Sequence, residues 1–136
     1  MTGLFSAAPE CAVLTFAAVA VGAESAAQQI VWADSVDSGV NSTGANFIRG
    51  MRLELTNATP GIITARVYDG DPAVTRILIY EANFDFATVT VLTDMLGDEA
   101  VDCFNDPYMT LQSDTAAMDI SARPVVAQGS LVVSTI

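Results

Sequence analysis

Between residues 51 and 68 the chain alternates apolar and polar side chains in two runs, separated by turn-forming residues. Met51, Leu53 and Leu55 alternate with Arg52, Glu54 and Thr56, and Ile63, Ala65 and Val67 alternate with Thr64, Arg66 and Tyr68. Successive side chains of a strand point to opposite faces, so each run offers one face to a core and one to water. Asn57-Ala58-Thr59-Pro60-Gly61 and Asp69-Gly70-Asp71-Pro72 supply the Pro and Gly that tight reversals need. Residues 76–80 and 87–92 read as the next strands. Residues 108–111 and 117–120 read as short edge strands, and 125–136 as a closing hairpin or a bulged long strand bent at Gln128-Gly129. Strands separated by turns at regular intervals predict an all-β fold, an antiparallel, jelly-roll-like β-sandwich of about eight strands.

The flanks are less regular. Residues 1–10 contain Pro9 and no period, which predicts an extended N-terminal arm, with residues 11–136 as one sandwich domain. Leu4 and Phe5 on that arm are candidate partner-interface residues. From Cys11 to Val21 the chain is almost continuously apolar. A strand buried on both faces fits this segment, and an Ala-rich helix has the same periodicity. It is too short to cross the roughly 30 Å hydrocarbon layer as a helix and lacks a basic leader, so neither a membrane span nor a signal peptide is expected. Gln29 to Ala33 is a further strand candidate, and residues 34–46 form a Ser-, Asp-, Asn- and Gly-rich surface loop.

Composition narrows the chemistry. The chain has no histidine and no lysine; its cations are Arg49, Arg52, Arg66, Arg76 and Arg123. Without imidazole or amine there is no Ser-His or Cys-His pair and no Schiff base, so no enzyme, catalytic residue or cofactor is expected. Carboxylate pairs alone can run glycosidase chemistry, but sixteen acids make chance pairs unavoidable and nothing resembling a sugar groove accompanies them. The cluster Asp94, Asp98, Glu99, Asp102 and Asp106 lacks the spacing of a calcium loop, so residues 94–107 read as a solvated acidic loop or a helical turn, with no metal. Cys11 and Cys103 have no metal spacing. Two buried free thiols are the expected state, and a disulfide between them is compatible with the sequence.

Charged residues are 15% of the chain while hydrophobic residues are 51%. An ordinary soluble domain carries about 25% charged residues. A lone copy would show much apolar surface, and such surface associates. An obligate assembly is therefore expected. The net charge of −11 argues against nucleic acid and against anionic membranes as partners. Arg52 and Arg66 fall on the polar faces of strands expected to be neighbours, opposite or diagonal to one another. Their ordinary role is cross-strand pairing with Glu54 or a nearby Asp. The functional alternative, preferred here, is a guanidinium fork on a neighbouring subunit's carboxylate, so that Arg52→Ala weakens assembly and spares the fold.

The run from Arg52 to Tyr80 resembles small β-sandwich virion proteins of tailed bacteriophages. The likeness is carried by Asn57, Thr59, Pro60 and Gly61, then by Val67, Tyr68, Asp69 and Gly70, and by the final strand at residues 130–136. It implies a capsid decoration (cement) protein on the outer surface of a phage head. Its partners would be the major capsid protein and copies of itself, as a trimer or other cyclic oligomer. Each roughly 100 Å² of apolar area buried at such seams contributes about 2.5 kcal/mol before entropy losses. The competing expectation is a tail or fibre component acting as a carbohydrate- or receptor-binding module, which predicts an exposed aromatic cluster. Trp32, Tyr68, Tyr80 and Tyr108 are instead scattered.

Overall fold

The computed structural model describes residues 13–31, 46–56, 61–96, 101–103 and 105–128, which form strands and no helix. The strands are β1 (Leu14–Val19), β2 (Gln28–Gln29), β3 (Asn46–Leu55), β4 (Ile62–Asp69), β5 (Leu78–Asp85), β6 (Val91–Met95), β7 (Val101–Cys103), β8 (Pro107–Ser113) and β9 (Met118–Gln128). One sheet has the order β1-β9-β3-β6, with β7 also against β3, and the other has the order β2-β8-β4-β5. Every pairing between these strands is antiparallel. Leaving aside the three-residue β7, the pairs β1 with β9, β2 with β8, β3 with β6 and β4 with β5 amount to one long hairpin rolled into two sheets. That order is the jelly roll.

The core lies between the sheets and is filled by the alternating apolar residues. Met51, Leu53 and Leu55 of β3, Met118, Ile120 and Ala122 of β9, and Phe16 of β1 meet Ile63, Ala65 and Val67 of β4, Met109 and Leu111 of β8, and Phe84 of β5. At the rim where β5 and β6 lie, the Tyr80 hydroxyl donates to Asp94 Oδ2 at 2.7 Å, tying one sheet to the other. Burial, then the Asp94 carboxylate, raises the Tyr80 phenol well above its ordinary range, so it remains a donor.

Several elements differ from the sequence expectation. β1 is buried on one face only: Leu14, Phe16 and Val19 point inward while Thr15, Ala17 and Ala18 are exposed. The register shifts between Phe16 and Val19 because Ala18 adopts a positive φ of 50° and its N–H bonds Asp119 Oδ1 at 2.7 Å. This bulge moves Val19 into phase with the core. β3 and β4 are not neighbours, because the connection between them crosses from one sheet to the other. β5 runs on to Asp85: Tyr80 and Phe84 hold the inner face while Glu81, Asn83 and Asp85 point out. β9 is one strand of 11 residues where the sequence suggests two segments. Its Pro124 stands within the strand, paired with Met51 of β3. Of the acidic stretch 94–107, the described residues include the end of β6, all of β7 and the first residue of β8.

The arm 1–10 with Leu4 and Phe5, Cys11, Trp32, residues 34–45, the turn 57–60, Asp98, Glu99 and the final strand 130–136 lie outside the described residues.

Candidate functional site

After β1 the chain changes sheets at Gly22, whose φ of 75° makes the corner. Residues 21–30 then run along β8: Gly22 N–H donates to the Ser113 carbonyl at 2.9 Å, Ser25 N–H to Leu111 at 2.8 Å, and Ile30 N–H to Pro107 at 2.8 Å. This course lays Glu24 over the outer face of the second sheet. Its Oε2 accepts from the Tyr68 hydroxyl at 2.5 Å and the Thr110 hydroxyl at 2.6 Å, and its Oε1 accepts from Arg76 Nη2 at 2.7 Å. The Arg76 guanidinium sits 4.7 Å above the Tyr68 ring, which explains how an outward-facing tyrosine is only 2% exposed. Arg66 extends the network, donating from Nε to Glu81 Oε2 at 2.7 Å and from Nη1 to Gln112 Oε1 at 2.9 Å, and it lies 3.6 Å from Glu24 Oε2.

The electrostatics fix the protonation states. Burial alone pushes the Glu24 carboxyl up, but hydrogen bonds from Thr110, Tyr68 and Arg76 together outweigh it and hold the group at about 2. Burial and the adjacent Glu24 carboxylate raise the Tyr68 phenol. A carboxylate this acidic beside a phenol this basic does not exchange protons near neutral pH. The set acts as a clasp joining the β1–β2 connection to β4, β8 and the β4–β5 loop, without an acid–base couple.

A second polar knot lies at the start of β8. Asp69 is 7% exposed, and its Oδ1 accepts from the Asn105 N–H at 2.6 Å and lies 3.2 Å from Cys103 Sγ. Cys103 is a free, buried thiol, as the sequence predicts for it. Its Sγ is also 2.9 Å from the Asn105 carbonyl. Burial first, then Asp69, pushes the thiol far above its ordinary range, so it is unreactive as a nucleophile. Beside this knot the β4–β5 loop walls a hollow of about 520 Å³ lined by Asp71, Asp106, Val74, Ile77 and Tyr108, among others.

The candidates Arg52 and Arg66 fall on the outer faces of different sheets, so they are not opposite or diagonal to one another on neighbouring strands. Arg66 is committed to Glu81, its register partner across β4 and β5, which is cross-strand pairing with a partner other than the one expected. Arg52 is exposed and stands opposite Arg123 in the β3–β9 register, around a shallow hollow of about 90 Å³ shared with Val13, Glu54 and Ser121. Among the described residues no group of three or more metal-ligating side chains converges. Asp94, which the sequence places in a solvated loop, faces inward to Tyr80. The unit formed by Glu24, Tyr68, Arg76 and Thr110 has no sequence signature; Glu24 is 44 residues from Tyr68 and 86 from Thr110, so no local spacing signals it.

No protein-family model and no curated protein matches the chain. Several solved structures are similar to it in backbone course. A chain of Bacillus endospore appendages, described as a family of disulfide-linked pili, is 15% identical, with 88% of this chain and 86% of that chain covered and a TM-score of 0.46. A chain of tomato aspermy virus is 10% identical, with 96% and 82% covered and a TM-score of 0.47. A nora virus chain is 11% identical, with 88% and 56% covered and a TM-score of 0.41, so this chain spans little over half of that one.

Proposed function

We propose that this chain is a non-catalytic structural subunit of a virion, which builds or coats a protein shell through contacts with copies of itself. In its more specific form the reading is a decoration protein on the outer surface of a tailed-phage head, seated on the major capsid protein as a trimer or other cyclic oligomer. The observation that carries the reading is a jelly roll whose core is already closed yet which leaves large apolar side chains outside. Val21, Val74, Ile77, Leu78, Val89, Val91 and Met95 are all exposed, Val74 to 82%. Jelly rolls also serve as lectin domains and cupins, so the fold alone does not choose a role. Exposed apolar surface on a chain of low charge density favours self-association.

Sedimentation velocity and negative-stain microscopy of the purified chain test this. A decoration protein forms small closed oligomers that stop growing, whereas a shell-building subunit continues to large particles. A single-copy species at every concentration up to the solubility limit would end both versions. The fibre or carbohydrate-binding alternative loses Tyr68 and Tyr80 as stacking faces, since both are buried with hydroxyls bound to Glu24 and Asp94. Binding across a glycan array would revive it.

A further inference from the structure

Intramolecular ion pairing leaves the charges segregated. Arg66 and Arg76, on the second sheet and its β4–β5 loop, are neutralised by Glu24 and Glu81. Arg49 and Arg52 on β3 are exposed and form no ion pair with another described residue. An exposed guanidinium offers its fork of donors to a carboxylate outside its own chain. In a chain of net charge −11 with five cations, Arg49 and Arg52 give β3 two of the few positive charges on an acidic molecule.

The complementary surface is the hollow beside the β4–β5 loop. Asp71 and Asp106 line it and make no ion pair with another described residue, while Ile77 and Val74 supply exposed apolar wall. A guanidinium needs carboxylates for its head and apolar surface for its stem, and a hollow of about 520 Å³ admits both. Resting on the self-assembly reading above, we infer that the Arg49–Arg52 face of one copy docks into the Asp71–Asp106 hollow of a second copy. The two surfaces are different patches of the chain. The contact is therefore head-to-tail, which closes as a ring or runs on as a filament.

Two charge variants test the contact. R49E/R52E reverses the face, and D71N/D106N neutralises the hollow; the D71N change keeps a side-chain oxygen to accept the Ala73 N–H, which Asp71 Oδ1 accepts at 2.9 Å. Each variant alone should need a roughly tenfold or higher concentration to associate, with an unchanged thermal melt as evidence of folding. Mixed, they should form one-to-one pairs and stop, since each pair holds only one intact face and one intact hollow. Wild-type-like association by either variant alone overturns the contact, as does a mixture that stays as unassociated as its parts. A wild-type chain that never associates overturns the assembly reading first, and this contact with it.

Discussion

Glu24 and Ala18 show how single side chains set the local energetics. The Glu24 carboxyl is held at about 2 in the folded chain against 4.5 for the ordinary group. Its stabilising contribution is therefore full above 4.5 and is lost as pH falls from there toward 2. Urea midpoints between neutral pH and pH about 2 should fall through this window. Glu24→Gln should flatten that slope and cost about 1–3 kcal/mol at neutral pH, because a charged acceptor of several hydrogen bonds is replaced by a neutral one. Ala18 sits in the left-handed region at φ 50°, where a Cβ is disfavoured. Ala18→Gly should raise stability by about 0.5–1 kcal/mol in the same assay, and a loss would show that the bulge is unstrained.

Strands are legible where alternation is clean and mis-bounded where one residue breaks the phase. β3 and β4 follow their apolar residues almost to the ends. Alternation alone stops β5 early, because Glu81 and Asp85 look like loop residues until Phe84 is seen to share the inner face with Tyr80. Pro124 divides β9 in the sequence, yet the strand runs through it, paired with Met51 of β3. β6 depends on Gly50 opposite it: a Cβ there would lie 2.6 Å from the Asp94 carbonyl oxygen and 2.7 Å from Met95 Sδ. Gly50→Ala should displace β6 and cost about 1–3 kcal/mol by denaturant unfolding. Tyr80→Phe removes the bond from β5 to β6 and leaves Asp94 with one donor fewer, for a loss of about 1–3 kcal/mol.

For the whole molecule the question is which surface is meant to be covered. Val91 and Met95 alternate with Thr93 on the outer side of the edge strand β6, where β-rich proteins usually place charges that discourage pairing. Val91→Lys with Met95→Lys should reduce self-association, read by light scattering. Because both side chains are exposed, the cost to folding should stay within about 0.5 kcal/mol. Association through Arg49 and Arg52 should weaken as the screening length shrinks from about 10 Å at 0.1 M salt to about 3 Å at 1 M, while apolar contacts persist. The two contributions are thus separable by one salt series.

Alternation with a period of two is a local property, so the sequence by itself determined an all-β chain and the core-facing side chains of β3 and β4. Composition added the acidity and the apolar excess. Partnership between strands is not local: sheet membership depends on closing two layers around a single core, and that closure sent β3 and β4 to opposite sheets and separated Arg52 from Arg66. Only the tertiary structure set Arg123 against Arg52 and drew Glu24 onto Tyr68 and Thr110, because those encounters follow from rolling one long hairpin, and no spacing along the chain encodes them.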